Sequence, residues 1–303
     1  MKPKINHALL TIVLSATILL PGCGTKQSHN EDSGKTALDL PTNVTAYQVK
    51  GVLREIRAEG WKALIAHEDI PGYMEAMTML LDVRNTNELA NLQPGDQITF
   101  RMLVTDTDGW IDHVERTGVT NAPVAAPPPV VKVEELKTGA VLPDYTLTNQ
   151  LGQAIRLSEF KGRALAFTFI FTRCPFPTFC PRMNNNFAEV QKLMSQRQAG
   201  TNWHLLSISF DPEFDTPERM AIHSQSYHPD PTRWSFATAA DETIRKLGGM
   251  FGLAYARDGA LFSHNVRTVV VDVQGRVQTV FNNNEWKPSE LMDALEAAMK
   301  QQP

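Results

Sequence analysis

The chain has only three cysteines in 303 residues, and no C-x-x-C pair among them. That excludes the dense disulfide framework of small secreted domains and the usual redox dithiol. It has no positive excess either. Lys and Arg number 29 against 33 Asp and Glu, a net charge of −4, so nucleic acid is not expected as a partner. It also lacks an apolar run of spanning length: ALLTIVLSATILL, at 8–20, has 13 residues where a crossing helix needs about 20. What remains is ordinary globular material, 42% hydrophobic and 20% charged, long enough for one or two buried cores.

The short apolar run follows Lys2 and Lys4 and precedes LPGCG, so residues 1–22 read as a targeting segment outside the fold. The small residue and cysteine after the run resemble a bacterial lipobox, with Cys23 as the lipidated residue. The expectation is a membrane-anchored lipoprotein on the extracytoplasmic (periplasmic) face, held by acyl chains without a spanning helix. An ordinary signal peptide with an incidental cysteine is the alternative. Thiols outside the cytoplasm tend to oxidise. With Cys23 acylated, Cys174 and Cys180 are the two cysteines left.

Two compositional breaks divide the rest. Residues 24–44 are polar and turn-rich, a flexible tether, and 120–132, containing APPPVV, form a Pro-rich linker. The block 45–119 holds about five short strands and no long amphipathic helix. A hairpin around Glu59-Gly60 opens it, and a small closed, all-β, OB-type barrel is expected. The block 133–302 alternates. ALAFTFIFT and WHLLSISF read as buried strands. A helix starts near Cys180, a second follows the Thr216 cap and Pro217, a hairpin turns at Gln274-Gly275, and an amphipathic helix closes the chain. That is an α/β, thioredoxin-like plan.

In the first block, HEDIPGYMEAMTM places Met74, Met77 and Met79 within six residues, close to His67. Met77 and Met79 share a strand face. Thioethers and an imidazole are soft, neutral donors that favour Cu(I), although methionines also serve as plain core filling. This block resembles the CusF-like periplasmic copper-binding domain, an OB-type barrel. The resemblance implies His67, Met77 and Met79 as Cu(I) ligands. That family's tryptophan over the metal has no counterpart here: Met74 stands near its place, as an added thioether or as packing, and Trp61 comes too early.

In the second block, FTRCPFPTFCPRM sets Cys174 after a buried strand and Cys180 at a helix start, where a thiolate is favoured. The loop before the RTVVVD strand carries His264 where thioredoxins carry a cis-proline, and 259–273 contain no proline. Facing the cysteines, His264 would complete a Cys2His set suited to Cu(I) or Cu(II). Asp211 reads as a turn cap or as an outer partner of the site, the cap being preferred. His113, His204, His223 and His228 read as ordinary surface or packed residues.

The motifs FTRCPFPTFCPRM, ISFDPEFDTPERM and FSHNVRTVVVDVQG together resemble the Sco/SenC family over 133–302. The resemblance implies a thioredoxin-like fold and copper held by Cys174, Cys180 and His264. It also implies a metallochaperone serving the CuA subunit of cytochrome c oxidase, or another apo-copper protein. The family's C-x-x-x-C is here widened to five intervening residues. A peroxiredoxin is excluded, because Phe171 and Pro177 stand where its threonine should precede the reactive cysteine. Two further readings stay open: a thiol–disulfide oxidoreductase acting through Cys174 and Cys180, and copper buffering in resistance.

Overall fold

The computed structural model describes residues 43–57, 61–120, 133–198 and 200–300. The expected leader, Cys23, the Glu59-Gly60 turn and nearly all of the tether and linker lie outside the described residues. The first sheet is built from β1 (Thr45–Ile56), β2 (Lys62–His67), β3 (Met77–Asp82), β4 (Asp96–Val104) and β5 (Gly109–Val119), in the order β3-β2-β1-β4-β5, all antiparallel. Alternation drives it. In β2 the buried positions are Ala63, Ile65 and His67, and in β3 they are Met77, Met79 and Leu81. The expected closed barrel is not formed. β3 and β5 meet only through a single parallel bridge between Val83 and Ile111, so the sheet curls without a closing ladder. The reason is local: β3 ends at Asp82, and the chain turns into a 3-10 turn at Thr86–Leu89 before more bonds can form.

The second sheet adds β6 (Thr146–Asn149), β7 (Ala154–Arg156), β8 (Ala164–Ile170), β9 (Trp203–Ser209), β10 (Trp234–Thr238), then β13 (Thr268–Val271) and β14 (Val277–Phe281). Its order is β14-β13-β8-β9-β10-β6-β7, parallel only for β8-β9-β10. Every residue of β8 and β9 is buried, which is why both read as unbroken apolar runs. The helices are α1 (Cys180–Gln196), α2 (Pro217–Gln225), α3 (Asp241–Gly249) and α4 (Pro288–Met299). α1 buries Met183, Phe187, Val190 and Met194, and α2 is capped by Thr216 as expected. Sequence reading missed β10, α3 and a two-stranded ribbon of β11 (Tyr255–Asp258) and β12 (Leu261–His264). The ribbon strands are four residues each, too short for a period to show.

Two of the histidines read as ordinary are integral to the core. His223 meets Asn184 at 3.2 Å. His204 is 4% exposed, bonds Ser235 at 3.0 Å and packs on Phe160. Burial, with help from nearby Arg163, lowers its pKa from 6.5 to about 3. The unfolded chain therefore takes up a proton first as pH falls. The stability held by neutral His204 is complete above pH 6.5 and drains at up to about 1.4 kcal/mol per pH unit towards pH 3. Denaturant melts at pH 6.5, 5 and 4 should show a shallower acid loss for His204→Gln than for wild type. Parallel slopes would refute this assignment.

Candidate metal centre

The strand-to-helix junction after β8 builds the centre. Ile170 is paired with Ser209 of β9, so the segments leaving these two strands emerge side by side at their carboxyl ends. Cys174 follows β8, and Cys180 is the first residue of α1, with Pro181 in the first turn, where no backbone N–H is needed. His264 ends β12 and pairs with Tyr255 across the ribbon, so it is carried on a strand and not on the loop expected. The ligand atoms of Cys174, Cys180 and His264 all lie within 4.8 Å of one another. His264 Nδ1–H donates to the Asn265 carbonyl at 2.9 Å, which fixes the ring and leaves Nε2 as the nitrogen that meets the Cys174 thiol and would face a metal.

The two thiols are unequal. Burial raises the Cys174 pKa, but hydrogen bonds from Cys180 and His264 overcome it and bring the thiol down to about 5. Burial, and then the neighbouring Cys174, push Cys180 well above the ordinary range. The pair thus carries one thiolate at neutral pH, on Cys174.

Around this core runs a second layer that sequence reading assigned otherwise. The Asp211 side chain caps nothing: fully buried, it accepts from Arg173 Nη2 at 2.5 Å and from Arg257 Nη2 at 3.5 Å. It thereby fixes the residue next to Cys174. Asp215, equally buried, accepts from the Thr172 N–H at 3.0 Å and from the hydroxyls of Thr172 and Ser209. The sequence DPEFDTP contains both acids, yet nothing in it separates the arginine holder from the loop holder.

Of the five residues between the cysteines, 176–179 are folded inward, with Phe176 2% and Thr178 1% exposed. Asn284 donates to the Thr178 carbonyl at 2.6 Å and anchors this loop.

In the first sheet, His67 stands opposite Met77 in register, and Ile65 opposite Met79. All three expected ligands are buried on one face. His67 Nδ1–H donates to the Glu68 carbonyl at 2.7 Å, while buried Nε2 has no partner. Burial holds the imidazole pKa below its usual value against the opposing pull of that carbonyl, so the ring stays neutral. An unpartnered imidazole lone pair on the strand next to the one carrying both thioethers fits a soft cation. Met74 is buried and bridged to Ile70, and is not among the residues lining the cavity described next. Trp61 is 58% exposed and takes no part.

The two donor groups face each other. A cavity of about 20 Å³ is lined by Met77, Met79, Cys174 and His264, with the rings of Phe176 and Phe179 among its walls. The aromatic surface opposite the methionine pair therefore comes from the cysteine loop, and no tryptophan lines this cavity.

Residues 133–300 match the family model described as SCO1/SenC, and residues 46–116 match that of the copper binding periplasmic protein CusF. The first match covers more than half of the chain, which belongs to the SCO1/SenC family. Among curated relatives, the chain is 29% identical over 99 residues to an SCO1 protein homolog of Bacillus subtilis, an alignment of 33% of this chain and 49% of that one. It is 24% identical over 139 residues to an SCO2-like protein of Rickettsia typhi, covering 44% and 65%. The chain thus spans between about half and two thirds of these relatives. A solved SCO1/SenC family lipoprotein of Bacillus anthracis superposes with a TM-score of 0.49 at 22% identity, over 54% of this chain and 96% of that one. No helix among the described residues is long and apolar enough to cross a membrane.

In the reduced, metal-free protein, iodoacetamide at pH 6.5 should alkylate Cys174 and spare Cys180, as read by peptide mass spectrometry. Replacing His264 by Ala removes one of the groups that lower the Cys174 pKa, so the midpoint of its alkylation should move to higher pH. Equal labelling of the two cysteines, or a midpoint indifferent to His264, would show that the asymmetry is not there.

Proposed function

We propose that this chain is an extracytoplasmic copper chaperone, tethered through lipid on Cys23, that holds copper at Cys174, Cys180 and His264 and delivers it to the CuA subunit of cytochrome c oxidase. Copper handling and cytochrome oxidase assembly are the business of its family. The observation that carries the reading is the convergence of two sulfurs and one imidazole nitrogen within 4.8 Å, from three separate points of the chain. Two thiolates and an imidazole suit copper in either valence. His67, Met77 and Met79, neutral and soft, form a second donor set, selective for Cu(I). The Pro-rich linker 120–132 joins the blocks 45–119 and 133–302 that carry the two sites.

A thiol–disulfide reductase role has one observation in its favour, the low pKa of Cys174 beside a protonated Cys180. It gives His264 no place beyond tuning that thiol, and the cysteines are not spaced as C-x-x-C.

Cys174→Ser and His264→Ala should each weaken copper binding by about 100-fold or more, above the 10–100-fold usual for loss of an outer partner. Cells carrying either variant should assemble oxidase depleted in CuA. A His264→Ala protein that keeps its copper and still supports oxidase assembly, while thiol exchange persists, sinks the chaperone reading in favour of the reductase.

A further inference from the structure

The two copper sites were expected to be separate, one in each block, joined by a linker. Their blocks are instead fitted together within one compact unit, at the face that carries both donor sets. Strand β3, which bears Met77 and Met79, is an edge strand of its sheet. The ribbon that bears His264 covers that edge. The Thr78 N–H donates to Asp258 at 2.7 Å, and the Ala260 N–H donates to Glu75 at 3.1 Å. Asp258 and Ala260 flank Gly259, the ribbon's turn, whose φ of 63° suits glycine.

On the other side, the widened cysteine loop seats itself on the start of β5. The Phe176 ring lies over Gly109 so closely that a Cβ built there would stand 2.5 Å from the ring. Arg182, two residues beyond Cys180, donates to Asp108 at 3.0 Å, and Tyr73 O–H donates to the Pro175 carbonyl at 3.3 Å. The residues between the cysteines therefore have a place: together with the ribbon they seat the second block on the first.

The cavity left between has room for about one water-sized guest. A copper seated there lies within reach of the donors on the cavity walls. Of the soft donors, the walls offer Met77 and Met79 from the first sheet and Cys174 and His264 from the second. Neither Cys180 nor His67 is among the lining residues.

We propose that this cavity is a shared Cu(I) site, in which Met77 and Met79 hold the same ion as Cys174 and His264, so that copper crosses between the two donor sets without entering water. The proposal rests on the chaperone reading above. The crossing is ligand exchange. Bonds from copper to the thioether sulfurs of Met77 and Met79 break as bonds to the Cys174 thiolate and His264 Nε2 form. Copper stays Cu(I) and no electron moves. A proton still on Cys174 leaves to solvent as the metal–sulfur bond forms.

The test is X-ray absorption at the copper and selenium edges on the full chain, labelled with selenomethionine, reduced, and given one equivalent of Cu(I). The wild type should show copper bonded to selenium and to sulfur in the same complex, with the selenium signal lost in Met77→Leu/Met79→Leu although the copper is retained. Two further variants lie outside the donor set. Gly109→Leu should force the blocks apart, and Phe176→Ala removes the seat without adding bulk. Each should lose the copper–selenium contact at one equivalent, and each should bind a second copper that the closed wild type excludes. A wild type whose first copper sees only sulfur and nitrogen, with selenium appearing only on a second equivalent, overturns the shared site and leaves the chaperone reading standing. A wild type that binds no copper, or binds it equally after Cys174→Ser, overturns both.

Discussion

Phe176 resting on the bare Cα of Gly109 is the contact on which the rest depends. Several polar links also join the two blocks, but they are weak supports. Arg182–Asp108 and Lys62–Glu285 leave their side chains between 20% and 55% exposed, and pairs so hydrated contribute a fraction of a kcal/mol each. Burying a phenylalanine side chain stabilises by about 1.5–3 kcal/mol. Closure is therefore chiefly an apolar event, insensitive to salt, and it needs a residue without a side chain at 109. The same contact settles the geometry of the cysteine loop. A loop held down at Phe176 and Asn284 leaves Cys174 facing the methionine strand and Cys180 behind it, at the foot of α1.

A soft-metal site has to hold lone pairs ready in a place where unpartnered polar groups are normally costly. The two histidines meet this demand in the same way. Each gives its Nδ1–H to a nearby carbonyl, that of Glu68 for His67 and of Asn265 for His264. One bond fixes the ring orientation and turns Nε2 inward, unpartnered in His67 and set against the Cys174 thiol in His264. The acids take the opposite part. Asp211 and Asp215 are fully buried, yet their oxygens are engaged by arginine, hydroxyl and backbone donors, so neither competes with the sulfurs for a cation. The carboxylates near the site are structural, and the donors left open are sulfur and imidazole.

Much of this was legible in the sequence because it is carried by periodicity and by residue type. The continuous apolar runs of β8 and β9, the Thr216-Pro217 start of α2 and the alternating first-sheet strands stand out without a model of the whole. The donor residues were legible for a different reason: sulfur and imidazole have few other uses in such clusters. The closing of the first sheet was not legible. Strand count suggests a barrel, whereas closure is decided by whether two edge strands run long enough together, and β3 stops too soon. The role of Asp211 was hidden likewise, since capping is a local habit and its arginine partner Arg257 lies 46 residues away. Gly109 carried no signal at all. A glycine after Asp108 reads as a turn residue, and its importance comes from a ring that the tertiary fold brings to it.

The widened cysteine spacing is a departure from the family's C-x-x-x-C, and the packed loop shows where the added length goes. The charge of the two donor sets then matters. His67, Met77 and Met79 are neutral, so Cu(I) among them keeps its full positive charge in a largely apolar cavity. The Cys174 thiolate offers an opposite charge a bond length away, where attraction is strong because little water screens it. Reduced cysteines therefore draw the ion towards the second block. Oxidation to a disulfide removes the thiolate and leaves the thioethers, which cannot form disulfides, as the better donors. A compartment that oxidises thiols thus does not only endanger such a site. If both donor sets hold one ion as proposed, the redox state of the two cysteines would decide which set holds it.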